Sequence, residues 1–287
     1  MIIIENDDLQ VELMNSGAEV QKVIDKHTGK NKMWSGDPEY WGRVSPILFP
    51  IVGALKGGTY RYENQMYTLP RHGFLRDQMF VTNHLERSKV RFHFESSGQF
   101  TDVYPFEFTI HVNYELVERS LKVTWEVKND TDGPMYFSIG GHPGFALPMR
   151  EGRKTADHVI ELQSSQQLKQ YQLVDNLLEE VKDQAISSSF SLSPERFKRD
   201  ALVYEGVDKV SVTIDQSIML ELDVQDAPYV GVWSPYREGE DELAFICIEP
   251  WYGLADTTET SGSLEEKKGI QKLAVGEQFT GGYTIKF

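Results

Sequence analysis

Of the seven histidines in this 287-residue chain, two stand among glycines. His72 lies in Leu69-Pro70-Arg71-His72-Gly73-Phe74, and His142 in Ile139-Gly140-Gly141-His142-Pro143-Gly144-Phe145. Histidine is the side chain that exchanges protons most readily near neutral pH, and glycine lets a backbone bend and a ligand approach closely. Both therefore suit a pocket in which protons move. The same surroundings suit a histidine that ties down a loop by hydrogen bonds, and local sequence weighs the two readings equally. The acidic candidate is Glu249, at the end of the apolar run Phe245-Ile246-Cys247-Ile248 and just before Pro250-Trp251. Burial there would lift its pKa toward the working range of a general base. An edge carboxylate paired with an arginine is nearly as good a reading. Asp200, beside Ala201-Leu202-Val203, is a weaker case of the same kind, because an aspartate entering a strand is commonly a cap or turn residue.

The remaining histidines have plainer contexts. His27 sits in a turn composition, and His84, His93, His111 and His158 fall in or beside strand runs, where an outward position is expected. The chain carries no G-x-S-x-G elbow, no G-x-x-x-x-G-K-[ST] phosphate loop and no H-E-x-x-H zinc motif, so those chemistries lose support. Two histidines and a carboxylate could form a facial metal triad, but the close-spaced ligand pair of such sites is missing, and no metal is expected. No acid pair is singled out by its context for glycoside hydrolysis. Trp41, Phe74, Phe145, Trp233 and Trp251 lie near the candidate residues, and an aromatic ring can pack against the C–H face of a sugar while polar groups fix its hydroxyls. Each ring taken singly suits the core better.

Elements that could position such residues are strands. Val90-Phe92-Phe94, Phe106-Phe108-Ile110-Val112-Tyr114-Leu116 and Leu121-Val123-Trp125-Val127 alternate apolar with polar, the period of a half-buried strand. Val117-Glu118-Arg119-Ser120 and Asn129-Asp130-Thr131-Asp132-Gly133 read as turns joining consecutive strands of a meander. Runs at Val210–Ile214, Ile218–Val224, Leu243–Ile248 and Tyr283–Phe287 repeat the pattern, and the fold class is all-β. Ser193-Pro194-Glu195-Arg196-Phe197 suits a one-turn helix with Ser193 as N-cap. The polar segment 162–189 is either an excursion with short strands of its own or a surface flap, and Thr257–Ser263 reads as a mobile loop. No boundary divides the chain, so residues 1–287 form one domain on this reading.

Composition limits the partners. With 40% hydrophobic and 25% charged residues the chain is globular, and 29 basic against 44 acidic residues give a net charge of -15 that opposes nucleic acid. The N-terminus MIIIENDDLQVELM lacks a basic region and reads as a first strand instead of a signal peptide. No apolar run reaches the roughly 18 residues of a membrane helix. The one cysteine, Cys247, rules out an internal disulfide and a Cys-rich zinc site and reads as a buried thiol. The cytoplasm is the expected location.

Four motifs together carry a resemblance: Gly42-Arg43-Val44-Ser45-Pro46-Ile47-Leu48-Phe49-Pro50, Arg71-His72-Gly73-Phe74, Gly140-Gly141-His142-Pro143-Gly144-Phe145 and Ile248-Glu249-Pro250-Trp251. The chain resembles the aldose 1-epimerase (galactose mutarotase-like) family over essentially its whole length, and within it the LacX-like branch. The resemblance implies a large antiparallel β-sandwich, a supersandwich, and interconversion of α and β anomers of an aldohexose without a cofactor. It implies Glu249 as general base on the anomeric hydroxyl and His142 as general acid on the ring oxygen. His72 and Arg43 become sugar-binding residues, and Asp200 the counterpart of a substrate-binding aspartate with Asp223 as the fallback. Arg71 and Trp233 are expected as further substrate contacts from their own contexts. Arg71 and Arg76 make a hexose 6-phosphate conceivable through bidentate pairing, although structural ion pairs with residues such as Asp77 are slightly favoured. A non-catalytic sugar-binding protein on the same fold is the rival from another class. The partner is a small sugar, and the oligomeric state is monomer or homodimer.

Overall fold

The computed structural model describes residues 1–182 and 185–287, and among these the extended elements are all strands, joined by four short 3-10 turns with no α-helix. Alternation does what the sequence pattern predicts. In Phe108–Val117 the side chains of Phe108, Ile110, Val112, Tyr114 and Leu116 are buried and those between them turn away from the core. Its neighbour Ser120–Asn129 follows through a two-residue turn, with Val117 opposite Ser120 and Glu118 at φ 50.

Two large antiparallel sheets dominate. One has nine strands: Val81–Leu85, Lys89–Glu95, Phe108–Val117 and Ser120–Asn129 run as a meander, followed across the sheet by Gln278–Lys286, Ser217–Asp223, Lys209–Ile214, Val159–Gln163 and Ser189–Ser191. The other has eight and is centred on Phe245–Tyr252, flanked by Tyr229–Trp233 on one side and by Ile139–Gly141 and Gly144–Ala146 on the other. Leu202–Glu205, then Lys169–Val174 and Leu177–Glu180, extend it to one edge, and Ile47–Leu48 closes the opposite edge. The apolar faces of the two sheets meet. Trp125 of the first packs its ring 6.4 Å from that of Tyr252 of the second and 5.4 Å from Tyr283.

Several expectations change in detail. The meander ends at Ser120–Asn129, because the C-terminal strand Gln278–Lys286 takes the next place and the turn at 129–133 leads to Met135–Phe137 in a separate ribbon with Gln271–Leu273. That C-terminal strand starts earlier than its apolar run suggested, since Gly281 and Gly282 mask the alternation. The polar segment 162–189 is an excursion with its own hairpin, Lys169–Val174 paired with Leu177–Glu180; its residues 183 and 184 lie outside the described ones. Thr257–Ser263 is irregular but held by bridge pairing of Thr257 with Leu178 and of Ser263 with Arg61. Pro194–Phe197 is the expected one-turn connector, although the Ser193 side chain makes no capping bond. His158 is fully buried instead of outward: its Nε2 accepts from the Met149 N–H at 3.0 Å while Nδ1 donates to the Lys154 carbonyl at 2.9 Å. Cys247 is buried, as its run indicated, and among the described residues no helix is long and apolar enough to cross a membrane.

The small sheet of Ile2–Glu5, Leu9–Leu13 and Val20–Asp25 is tied to the meander by Asp25. Its buried carboxylate accepts from Arg119 at 2.8 Å and from the backbone N–H of His27 and Thr28, with Lys32 at 3.5 Å. Burial pushes this carboxyl up, but the Arg119 guanidinium and the backbone donors outweigh it and hold the pKa at about 2, below the ordinary 3.8. A depressed carboxyl pKa stabilises the fold above the unfolded value and loses that contribution as pH falls through the folded one. Asp25→Asn should therefore lower the denaturation midpoint at pH 7, and the gap to wild type should close as pH falls from 3.8 to about 2; a gap independent of pH would remove the ion pair from this account.

Candidate active site

Glu249 sits in the middle of the eight-stranded sheet, on a strand whose eight residues are all buried. Trp251, two residues on and facing the same way, needs flat ground beside it, and the neighbouring strands supply it. A Cβ on Gly231 would lie 2.4 Å from the Trp251 ring, and one on Gly140 would lie 2.5 Å from it. The glycines before His142 thus serve packing instead of bending: Gly140 accommodates Trp251, and Gly141 accommodates Tyr283. Gly53, which lines the cavity, is likewise fixed by packing, since a Cβ there would lie 2.5 Å from Ala255.

His142 follows directly from the short strand Ile139–Gly141, and its backbone N–H donates to Pro46. Trp41 stacks on the imidazole at 4.6 Å between centroids, Trp233 meets it edge-on at 5.5 Å, and His72 lies at 5.7 Å. The Nε2 atom is 3.2 Å from Glu249 Oε2, although that oxygen has no partner in hydrogen-bond geometry. Also buried without partners are His142 Nδ1, Trp251 Nε1 and Arg76 Nε. Four orphaned polar atoms in one place are uncommon in a folded interior.

Around this pair lies a cavity of about 250 Å³, slightly below the roughly 300–1,000 Å³ usual for ligand sites. His72, at φ 68, closes one side: Gly53 N–H donates to its Nδ1 at 3.1 Å, which leaves Nε2–H as a donor. Arg71 donates to Asp200 at 2.8 Å, and both line the cavity with Arg76 and Trp233. Asp77 is instead the partner of Arg43, which also donates to the Arg76 carbonyl at 3.4 Å. Arg43 therefore stands behind Arg76 and outside the cavity lining, and Asp223 lies exposed on the other sheet, accepting from the Gln225 N–H. Glu249, His142, His72, Arg71, Asp200 and Trp233 are brought together; Arg43 and Asp223 are not. Sequence reasoning missed Leu173 and Leu178, which wall the cavity from the edge hairpin. The signal was present as Asp175-Asn176 between two apolar pairs, a hairpin turn now seen with φ of 51 and 67.

Electrostatics favour neutral forms. Burial pushes the Glu249 carboxyl well above its ordinary range, Asp200 adds to the rise, and Arg71 opposes it. Burial also drives His142 down to about 3, with Arg76 and Arg71 adding to the fall, and His72 is lowered for the same first reason with His142 next. Burial thus works against the charged form of both groups, in the direction of a carboxylic acid beside a neutral imidazole. Donor atoms of His142, Cys247 and Glu249 lie within 4.8 Å of one another, but a cation there would need a thiolate, and burial and Glu249 both push the Cys247 thiol up. A larger hollow of about 500 Å³ near Phe287 holds no acid–base pair; its cations Lys30, Lys32 and Arg119 are paired with Glu151 and Asp25.

Comparison with known proteins bears on the same region. The chain matches the family model described as aldose 1-epimerase over residues 1–267. It is 29% identical to chromosomal protein LacX of Lactococcus lactis subsp. lactis, over 95% of this chain and 94% of that protein. A galactose mutarotase related enzyme from Lactobacillus acidophilus has the same fold with a TM-score of 0.92 and 36% identity, covering 99% of this chain and 96% of that one. A galactose mutarotase-like protein from Lactobacillus casei gives a TM-score of 0.89 at 26% identity, over 100% and 99% of the two chains.

Titration of the imidazole tests the site's electrostatics directly. Long-range ¹H–¹⁵N spectra should show His142 neutral between about pH 5 and 8 and protonating only near 3. A midpoint at the ordinary 6.5 would mean that burial does not govern the imidazole.

Proposed function

The chain belongs to the aldose 1-epimerase family, and from that premise we propose that it interconverts the α and β anomers of an aldohexose by acid–base ring opening and reclosure. The observation that carries this reading is the His142–Glu249 pair, 3.2 Å apart, buried and short of protein hydrogen-bond partners in a cavity of monosaccharide scale. Exchanging anomers requires the C1–O5 bond to break, the C1–C2 bond to rotate and the ring to close on the other face of C1. Both chemical steps are proton transfers.

With a closed sugar bound, Glu249 takes the proton of the anomeric hydroxyl while His142 gives one to the ring oxygen. The C1–O5 bond breaks, C1–O1 becomes a carbonyl, and the pair is left as carboxylic acid and neutral imidazole. One proton leaves the sugar and one enters it, so the pair's total charge is unchanged. This product-side state is the one that burial favours in the empty cavity. Sugar hydroxyls donating to the orphaned Glu249 Oε2 supply what the ionised form lacks. Reclosure reverses both transfers. His72 Nε2–H, Arg71 and Asp200 hold the hydroxyls, and Trp41 and Trp233 offer ring faces to the C–H groups. The chemistry calls for no cofactor. A hexose 6-phosphate is the second reading, favoured by the buried, unpartnered Arg76 Nε beside Arg71.

Polarimetry of fresh α-D-glucose and α-D-galactose should show accelerated decay, reduced about 10²- to 10⁴-fold in Glu249→Gln and His142→Asn with the fold intact. Wild-type rates in either variant would sink the assignment. Saturable binding without acceleration would make the protein a carbohydrate binder. A kcat/KM at least about tenfold higher for the 6-phosphate would move the substrate to the second reading.

A further inference from the structure

The nine-stranded sheet, which does not carry Glu249, bears a row of titratable side chains that the reaction leaves unused. His93 on Lys89–Glu95 stands directly opposite His111 on Phe108–Val117, and His111 directly opposite Glu126 on Ser120–Asn129. All three fall between the buried positions of their strands and so turn away from the core. They are reachable from solvent but confined by their neighbours, with 24%, 22% and 21% of their side chains exposed.

The two imidazoles meet through nitrogen. His93 Nδ1 lies 3.0 Å from His111 Nε2, and each ring has a carboxylate behind its other nitrogen. His93 Nε2–H donates to Glu95 Oε1 at 3.1 Å, and His111 Nδ1 is 3.9 Å from Glu126 Oε2. Neutral His93, its one proton committed to Glu95, thus presents a lone pair on Nδ1 and accepts from His111 Nε2–H. Glu126 is itself held in place, since Arg91 donates to Oε2 at 2.9 Å and Asn113 to Oε1 at 3.1 Å. Burial, then Arg91 and His93, hold His111 below its ordinary 6.5 against the opposing pull of Glu126 and Glu95, which favours the neutral ring that can act as a ligand.

The spacing suits an ion. With metal–nitrogen bonds of about 2.0 Å, two nitrogens at a right angle stand about 2.8 Å apart and two at the tetrahedral angle about 3.3 Å. The observed 3.0 Å falls between these values, so a rotation of the rings suffices and the strands need not move. A carboxylate behind the second nitrogen is also what orients an imidazole ligand and raises its basicity. We propose that His93 and His111 chelate one divalent transition ion, Cu²⁺ more tightly than Ni²⁺ or Zn²⁺, with water in the remaining positions. On binding, the His111 proton moves from Nε2 to Nδ1, facing Glu126, and the ion takes the two lone pairs; the neutral pair neither gains nor loses a proton. The ion has no part in the anomer exchange, and the proposal does not depend on that reading.

The test titrates Zn²⁺, then Cu²⁺, into the full chain. Long-range ¹H–¹⁵N spectra with Zn²⁺ should show His93 Nδ1 and His111 Nε2 shifting first and His142 unmoved. Calorimetry should give a Zn²⁺ Kd of about 50 µM or tighter and a Cu²⁺ Kd at least about tenfold tighter still. His93→Gln and His111→Gln should each weaken Zn²⁺ binding about tenfold or more. Both substitutions lie on the solvent side of the sheet, and metal-free melting at the wild-type temperature checks that the fold is kept; where a variant does not fold, the spectra of the unaltered chain decide. A weaker Zn²⁺ constant, Cu²⁺ bound no more tightly than Zn²⁺, or wild-type affinity in either folded variant would overturn the proposal. Shifts led by His142 would overturn it too, by placing the ion beside Cys247 and Glu249.

Discussion

A buried carboxyl with no cation in contact cannot stay ionised without a cost on the order of several kcal/mol, and the surroundings of Glu249 follow from that constraint. The charge that could have relieved it is nearby in Arg71, but Asp200 engages it. Had Arg71 turned to Glu249 instead, the carboxyl would have been held ionised, far below the range in which it can both take and return a proton. Asp200 and Arg71 together thus keep a full ion pair at the cavity wall while leaving its centre neutral. The aromatic rings of Trp41 and Trp233 pack around His142 and bury it.

The same economy governs the sheet beneath. Trp251 lies across two strands because both carry glycine where its ring passes, and Gly231 is also the residue directly opposite Glu249 in the ladder. The position of the carboxylate and the flatness of the floor are therefore one packing problem. A methyl group at Gly231 or Gly140 would strike the ring at 2.4 or 2.5 Å, and in a close-packed interior the displaced ring has nowhere to go but into the cavity.

Much of this architecture was legible in the sequence. Period-two alternation located the meander from Lys89 to Asn129 because those strands have one face on the core and one turned away. The central strand Phe245–Tyr252 is buried on both faces, so only its apolar length marked it, and its end was misplaced by four residues. Glu249 stood out for the physical reason that matters, a carboxyl placed where the strand had no solvent to offer. At Arg43 sequence order says nothing of distance: its motif adjoins the site, and its guanidinium turns to Asp77. His158 misled because a polar residue beside a strand suggests solvent, whereas backbone groups of its own connector satisfy both ring nitrogens. Asp256, which joins three segments far apart in the chain, left no local pattern at all.

The hairpin Lys169–Glu180 hangs on the outermost position of the eight-stranded sheet, whereas Glu249 and His142 sit on or beside its central strand. Edge strands have one neighbour, and insertions or exchanges there disturb no ladder on the far side. The two regions are in this way separable: an edge hairpin can be lengthened, shortened or re-lettered by mutation while the central strand stays buried along its whole length. Descendants of such a chain would be free to change what they accept long before they could change what they do.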